Sequence, residues 1–167
     1  MAKLSAAEVK AQLAQPPAGQ SAVLREIDEE AGQLLEPGPK GPVKLLQARV
    51  DALKGTPIVV NLWGDWCVPC KKEMPIFQRV ALAQRGKVAF LGMAVNSRPA
   101  KAEAFLRDEV FVPYPSILDE DGEVNVGTGV DNLPKTFFYD RAGKRFIHIG
   151  PYETEADLLA DIKRYAS

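Results

Sequence analysis

An α/β fold with a mixed central β-sheet flanked by helices is predicted by three observations. Residues 57–63 and 88–95 form near-continuous apolar runs, which are typical of parallel strands buried on both faces. Segments with helical apolar spacing alternate with these runs. Two further strand-like segments, 135–139 and 145–149, flank a hairpin turn at residues 140–143 that ends in glycine. Together these features imply one sheet with both parallel and antiparallel neighbours.

The 167-residue chain has the length and composition of one globular domain with a terminal extension. Hydrophobic residues make up 46% of the chain and charged residues 26%, so it can bury a substantial core. Its formal net charge of −1 argues against a general nucleic-acid surface or a polybasic membrane surface. No apolar run approaches the roughly 18 residues that are needed to span a bilayer.

The first eight residues lack an apolar core followed by a cleavage site, so we expect no signal peptide in them. Two locations stay open at this point. The protein is either cytoplasmic, or extracytoplasmic with an export or anchor segment that the sequence does not contain. Two cysteines in one vicinal motif are compatible with either side of a membrane.

Residues 1–42 are predicted to be a helical extension and linker before a domain of residues 43–167. Within the extension we expect helices over residues 5–14 and 21–35, followed by a linker rich in proline and glycine over residues 36–42. The second helix carries apolar residues at helical spacing, namely Leu24, Ile27, Ala31 and Leu34. This stripe either packs on the domain or belongs to a spacer that leads to an anchor.

Within the domain, the pattern predicts helices over residues 43–53, 67–84 and 100–108 and strands over residues 57–63, 88–95, 114–118, 135–139 and 145–149. Pro75 should kink the second helix because it removes a backbone donor from the helix interior. Residues 124–130 are expected to be short and irregular. Thr154 is expected to cap a final helix whose buried side comprises Leu158, Leu159, Ile162 and Tyr165.

Both cysteines of the chain, Cys67 and Cys70, follow the first apolar run and are separated by Val68 and Pro69. This spacing fits the first turn of a helix, so the two sulfurs can lie on one side and form a small disulfide ring. A Cys-x-x-Cys motif beside a β/α pattern is typical of a redox pair, although half of a metal site is the other possibility.

The motifs of residues 43–166 resemble the thioredoxin superfamily, and within it the TlpA-like or ResA-like extracytoplasmic thiol-disulfide oxidoreductases. The resemblance rests on several segments in order: residues 59–63 before the motif, Trp66-Cys-Val-Pro-Cys70, residues 71–75, residues 114–119, and residues 130–138 with their Leu-Pro. It implies a thioredoxin-like fold, with Pro134 as a cis-proline opposite the cysteines. An ordinary trans-proline turn is the alternative.

Cys67 is the candidate nucleophile and Cys70 the candidate resolving thiol. Disulfide exchange requires an accessible thiolate and a second thiol that resolves the mixed disulfide. At a helix N-terminus the macrodipole favours an anion, which lowers a thiol pKa. The alternative is a pair of inert buried cysteines.

Glu73 is the third candidate catalytic residue. Asn61 stands six residues before Cys67, where classical thioredoxins carry a buried aspartate near the resolving thiol, and an amide cannot accept a proton. In ResA-like proteins the glutamate that matches Glu73 helps to move protons. The alternative is a solvent-facing helix carboxylate.

The resemblance also implies a substrate groove bordered by Trp66, Leu133, Pro134 and Gly150. Two residues depart from the family pattern and should lie near its rim. Asp65 replaces a small uncharged residue, and if it points inward it raises the thiol pKa and favours a reducing protein. A solvated turn aspartate is the alternative. Lys135 stands where threonine is common.

The leading hypothesis is a monomeric thiol-disulfide oxidoreductase that reduces protein disulfides, without a cofactor or a metal and without nucleic acid as a partner. By family analogy its substrates are apocytochrome c or copper-site proteins, and an upstream dithiol protein re-reduces it outside the cytoplasm. The alternatives are a copper carrier using His148, which is poorly placed for that role, and a redox-inert interaction domain. A peroxidase is disfavoured because no threonine precedes a cysteine by three residues.

Overall fold

A computed structural model describes residues 2–129 and 131–167. Its helices are α1 (Ala6–Leu13), α2 (Ala22–Glu29), α3 (Pro42–Ala52), α4 (Val68–Ala83), α5 (Pro99–Asp108) and α6 (Glu155–Tyr165), with a 3₁₀ turn at Glu123–Asn125. Its strands are β1 (Leu34–Leu35), β2 (Ile58–Trp63), β3 (Ala89–Val95), β4 (Ser116–Asp119), β5 (Lys135–Tyr139) and β6 (Arg145–Ile149).

Across the described ranges, these six strands form one mixed sheet in the order β1-β4-β3-β2-β5-β6. Strands β1 to β4 are mutually parallel neighbours, whereas β5 and β6 run antiparallel to the strands beside them. The predicted α/β class, the mixed sheet and the C-terminal hairpin are therefore confirmed. Every residue of β2 and β3 is buried, as their apolar runs predict.

Helices α4 and α6 pack against each other over aromatic side chains of the sheet. Phe77 of α4 meets Phe90 of β3 edge-on, with ring centroids 6.5 Å apart. On α6, the ring of Tyr165 lies 6.0 Å from that of Phe138 on β5. This packing fixes α4, and with it the cysteine motif, against the centre of the sheet.

Helix α4 is continuous from Val68 to Ala83 with Pro75 inside it, and the predicted kink at Pro75 stays a prediction. Its inward side is mostly apolar. Most of the inward side chains are almost fully buried, including Met74, Phe77 and Val80. In α6 one predicted core position is wrong: Leu159 is 38% exposed, because it stands beside the buried Leu158 and turns toward solvent.

The N-terminal extension packs on the domain, and the spacer alternative is wrong. Val9 of α1 is fully buried, and Leu24 and Ile27 of α2 belong to the main hydrophobic core. Ser5 and Glu8 form a reciprocal capping box that starts α1. The division of the chain at residue 42 stays a prediction.

The predicted helix over residues 21–35 is too long. Helix α2 ends at Glu29, and Leu34–Leu35 instead form β1, which pairs in parallel with β4. Gly32 adopts a left-handed φ of 71° and donates its N–H to the carbonyl of Tyr114, which turns the chain toward the sheet edge. The apolar spacing continues through this turn, which is why it predicted a longer helix.

Two smaller boundaries also differ from prediction. Strand β4 begins at Ser116 rather than at residue 114, because Tyr114 turns into the core before the ladder starts. The segment expected to be irregular opens with the 3₁₀ turn, whose N–H groups at Glu123 and Val124 donate to the Asp119 carboxylate. Val130, the last residue of that predicted segment, lies outside the described residues. No helix in the described part of the chain is long and apolar enough to cross a membrane.

Candidate active site

The cysteine pair forms the N-terminus of α4, directly after the loop that leaves β2. Cys67 is the N-cap residue, and its sulfur accepts the N–H of Cys70 over 3.3 Å. The two sulfurs are joined in a disulfide with the Cα atoms 5.3 Å apart. Both residues are buried, Cys67 with 4% of its surface exposed and Cys70 with none. Helix N–H groups and the macrodipole therefore face the sulfur of Cys67.

Trp66 directly precedes Cys67 and is exposed to solvent. Its side chain is 53% exposed, and its indole N–H donates to the carbonyl of Val95 over 3.1 Å. A Cβ atom at Gly64 would lie 2.6 Å from the indole nitrogen, so the tryptophan needs glycine at that position. The position of the Trp66 ring therefore explains why the loop has glycine at residue 64.

Asp65 is half-buried beside the motif and donates its backbone N–H to the Ser97 hydroxyl over 3.4 Å. Its side chain borders a surface groove together with Lys71 and Glu109, which form an ion pair of 3.4 Å. Its predicted effect on the reactivity of Cys67 stays a prediction.

Glu73 lies one helical turn below Cys70 and is 1% exposed, so the solvent-facing alternative is wrong. Its Oε2 accepts the backbone N–H of Tyr152 over 3.4 Å, and within the described residues its Oε1 has no hydrogen-bond partner. Burial raises the pKa of Glu73 to about 9, and the Tyr152 hydrogen bond offsets only part of that effect. The carboxyl group is therefore protonated at neutral pH.

Tyr114 belongs to the same buried polar cluster, and the sequence analysis did not identify it as a site residue. Its hydroxyl accepts the side-chain N–H of Asn61 over 3.2 Å, and both residues are fully buried. Burial raises the pKa of Tyr114, and the Asn61 hydrogen bond offsets part of that effect. A polar residue inside an apolar strand, here Asn61, is the signal that points to such a partner.

The peptide bond between Leu133 and Pro134 is cis, as predicted, so the trans alternative is wrong. The carbonyl of Pro134 accepts the N–H of Gly150 over 3.0 Å, and Gly150 has a φ of 103° that favours glycine. Strand β5 runs antiparallel to β2, and its first residue, Lys135, pairs with Leu62 near the C-terminal end of β2. Pro134 therefore lies at the same end of the sheet as the loop that carries the cysteines.

Lys135 follows Pro134 directly, and its predicted place near the rim of the groove stays a prediction. Its side chain is fully buried, and its ammonium donates to Asn125 Oδ1 over 2.7 Å and to Thr128 Oγ1 over 2.9 Å. Burial lowers the pKa of Lys135. The side chain points under the preceding loop because β5 pairs on both sides at this position.

Comparison with known proteins places these features in a family. Residues 42–144 match the model of the AhpC/TSA family, which includes the cysteine motif, Glu73 and Pro134. The chain belongs to the AhpC/TSA family. Its thioredoxin-like fold, predicted from the motif order, is confirmed by solved structures of similar proteins.

Curated relatives of this AhpC/TSA chain carry redox names. A "Thiol:disulfide interchange protein DsbE" from Pseudomonas fluorescens biotype C is 38% identical over 92 residues, which cover 54% of this chain and 49% of the relative. A "Thioredoxin-like protein YneN" from Bacillus subtilis (strain 168) is 30% identical over 134 residues, or 75% of each chain. The chain spans about half the length of the DsbE relatives.

Two solved structures show the same architecture. A DsbF homologue from Corynebacterium diphtheriae superposes with a TM-score of 0.60 at 27% identity, covering 69% of this chain and 75% of that one. A thioredoxin-related protein from Neisseria meningitidis serogroup B gives a TM-score of 0.57 at 30% identity, covering 68% of this chain and 87% of that one.

His148, the residue that a copper carrier would use, packs on Tyr152 in this AhpC/TSA chain. The two rings stack with centroids 4.4 Å apart, and His148 Nδ1 lies 3.6 Å from Asp161 Oδ2. In the described ranges, no group of three or more His, Cys, Asp or Glu residues is arranged to hold a metal ion.

Proposed function

We propose that this protein is a thiol-disulfide oxidoreductase that reduces protein disulfides through Cys67 and Cys70. The observation that carries the proposal is the position of the Cys67–Cys70 pair at a helix N-terminus, one turn above the buried Glu73 carboxyl. The names of the DsbE and ResA relatives describe the same chemistry.

In the reduced protein, the thiolate of Cys67 attacks one sulfur of the substrate disulfide. The substrate S–S bond breaks, the Cys67–substrate bond forms, and the departing substrate thiolate takes up a proton. Cys70 then attacks the sulfur of Cys67, which releases the second substrate thiol and closes the Cys67–Cys70 disulfide. Two electrons pass from the dithiol to the substrate, and an upstream dithiol protein restores the reduced pair.

Glu73 is proposed to accept the proton of Cys70 during the second step through its carboxylate form, which a pKa of about 9 leaves as the minor form at neutral pH. Its pKa of about 9 lies close to the ordinary thiol pKa of about 8.5, so proton transfer between the two groups is nearly balanced in free energy. An ordinary carboxylate would be a much weaker base toward a thiol. The burial of Glu73 supports this role because burial is the cause of the raised pKa.

Trp66, Leu133, Pro134 and Gly150 are proposed to seat the substrate. Trp66 offers a half-exposed aromatic surface beside Cys67, which suits an apolar polypeptide segment. The hydrogen bond from Gly150 to the carbonyl of Pro134 holds the other wall of the groove, formed by Leu133, Pro134 and Gly150.

We further propose an extracytoplasmic location and substrates such as apocytochrome c or copper-site proteins. Both follow from the resemblance to the TlpA-like and ResA-like subgroup and rest on that analogy. A monomer that acts without a cofactor is proposed on the same ground.

Reduction of insulin with a dithiol as electron donor tests the proposed activity. The wild-type protein is expected to accelerate reduction, Cys67→Ser to abolish the acceleration, and Cys70→Ser to accumulate a mixed disulfide that mass spectrometry detects. Full activity in Cys67→Ser would exclude the mechanism, and a mixed disulfide through Cys70 in Cys67→Ser would reverse the assigned roles.

A further inference from the structure

Lys135 occupies an unusual position for a charged side chain. It is the first residue of β5, directly after Pro134, and pairs with Leu62 of β2 and Ile149 of β6. None of its surface is exposed. Burying an ammonium costs free energy unless hydrogen bonds replace its hydration. The hydrogen-bond partners of Lys135 therefore indicate its structural role.

Those partners belong to one loop, which we call the Asn125 loop and define as residues 125–129 and 131. The ammonium donates to Asn125 Oδ1 over 2.7 Å and to Thr128 Oγ1 over 2.9 Å. The Thr128 hydroxyl donates to the Asn125 carbonyl over 2.8 Å, and the Asn125 amide donates to the Asp131 carbonyl over 3.2 Å. The bonds therefore link the start of β5 to both ends of the loop.

Three residues of the Asn125 loop contribute little packing of their own. Gly127 and Gly129 have φ values of 86° and 88°, and both are exposed. Val126 between them and the 3₁₀ turn is 82% exposed and packs on little. Segments with few buried apolar contacts open locally at low free energy, so the bonds to Lys135 contribute directly to the order of this loop.

The end of this loop leads directly into the proposed substrate groove. Asp131, whose carbonyl the Asn125 side chain holds, is two residues before Leu133. Leu133 is half-buried and precedes Pro134, whose carbonyl is fixed from the other side by Gly150. One flank of the groove is thus held by Gly150, directly after β6, and the other by the loop that Lys135 binds.

We infer that Lys135 is a positioning residue for substrate: its ammonium fixes the Asn125 loop and so sets the backbone of Leu133 for binding of a polypeptide disulfide. The inference rests on the proposed function for its catalytic consequence, whereas the ordering of the loop is independent of it. Lys135 is assigned to the loop rather than to the cysteine chemistry, because its ammonium donates to Asn125 and to Thr128.

Lys135→Met tests the inference, because methionine has a similar length and keeps the buried volume without the ammonium. We expect KM for insulin to rise about tenfold, the effect of losing one charged hydrogen bond, with kcat changed less than about twofold. The rate of the reduced protein with a small aromatic disulfide, which does not contact the groove, should stay unchanged. Lys87→Met, at an exposed turn lysine, is the matched control and should leave KM unchanged.

Hydrogen exchange of the Asn125 loop supplies a readout that does not depend on activity. Lys135→Met should exchange the amides of residues 125–129 and 131–133 at least about tenfold faster, while those of β2 and β3 stay protected. Asn125→Ala and Thr128→Val remove the acceptors separately and should each reproduce part of the effect, also if Lys135→Met does not fold.

The outcomes separate the inference from the proposed function. If wild-type protein fails to reduce insulin while the loop still loosens in Lys135→Met, the proposed function is wrong and the ordering role of Lys135 stands. Unchanged exchange and unchanged KM in all three variants would overturn the inference. A fall in kcat together with a slower reaction of the small disulfide would assign Lys135 to the chemistry instead, and would overturn it equally.

Discussion

The backbone N–H of Tyr152 donates to Oε2 of Glu73 over 3.4 Å, and this contact joins the buried acid to the segment that also holds the proline loop. Two residues earlier, Gly150 donates to the carbonyl of Pro134. The Tyr152 hydroxyl in turn donates to Asp161 of α6 over 2.7 Å. Residues 150–152, directly after β6, therefore hold both the proposed proton acceptor and one wall of the proposed groove in position.

Glu73→Gln should change how the stability of the oxidised protein depends on pH. The pKa of Glu73 is about 9 in the folded protein and 4.5 as its ordinary value, so the folded state binds the extra proton between these limits. The free energy of unfolding should therefore fall as pH rises through this window, by at most about 1.4 kcal/mol per pH unit.

Glutamine does not titrate, so the free energy of unfolding of Glu73→Gln should not fall with pH in this window. The variant should therefore be more stable than the wild type at pH 8, and the two proteins should have similar stability near pH 4. Urea denaturation at both pH values measures the difference. Glu103→Gln, at an exposed position of α5, should follow the wild type. Parallel curves for wild type and Glu73→Gln would contradict the raised pKa.

Glu73→Gln should also slow resolution of the mixed disulfide, by at most about 100-fold, the ordinary contribution of a general base. The slowing should be smaller at pH 7 than near pH 9, because only the ionised fraction of Glu73 can accept a proton. The slowing should shrink above pH 9, where solvent can deprotonate an ordinary thiol of pKa about 8.5 without help. The first attack by Cys67 should change little. Rapid-quench measurement of both steps checks this, and equal slowing of both steps at every pH would speak against a proton-accepting role.

Gly32→Ala should destabilise the protein far more than Gly19→Ala. Both glycines have a left-handed φ, 71° and 73°, so alanine costs each about 1–2 kcal/mol in backbone strain. At Gly32 the new Cβ would also collide with the ring of Phe111, which adds about 1–3 kcal/mol, whereas it meets nothing within 4 Å at Gly19. Urea unfolding of the pair isolates the collision, and equal losses would show that Phe111 moves away freely.

Gln78→Met should loosen the N-terminal extension. The Gln78 side chain is fully buried in α4 and bonds both backbone groups of Leu4 and the carbonyl of Phe111, at 2.7 to 3.0 Å. Loss of these bonds should cost about 2–3 kcal/mol and raise amide exchange across α1. The guanidinium of the neighbouring Arg79 donates to the Ala2 carbonyl at the surface, so Arg79→Met should cost less than about 0.5 kcal/mol. A larger loss in the arginine variant would refute this assignment.

The sequence predicted the centre of the fold well because local pattern and tertiary burial agree there. β2 and β3 are apolar along their whole length, and the hairpin turn between β5 and β6 has its glycine where the left-handed backbone requires it. β1 could not be predicted in the same way. It has two residues, and only its pairing with β4 makes it a strand.

The same distinction separates the site residues that the sequence could predict from those that it could not. Cys67, Cys70 and Glu73 are close along one helix, so their spacing in sequence predicted that they meet. Tyr114 and the true environment of Lys135 depend on contacts between distant segments, such as the 53 positions that separate Asn61 from Tyr114. A long polar side chain beside a proline resembles a surface residue until the loop that covers it is placed.

The order of the sheet also determines where a foreign strand could add to this protein. β1 caps β4 with only two residues, so that edge offers a very short ladder, while β6 presents five residues along the opposite edge. Arg145 and His148 lie on β6, and charged or polar side chains on an edge strand discourage pairing between molecules. The short β1 therefore leaves little room for pairing between molecules at one edge of the sheet. At the other edge, the side chains of β6 must disfavour such pairing.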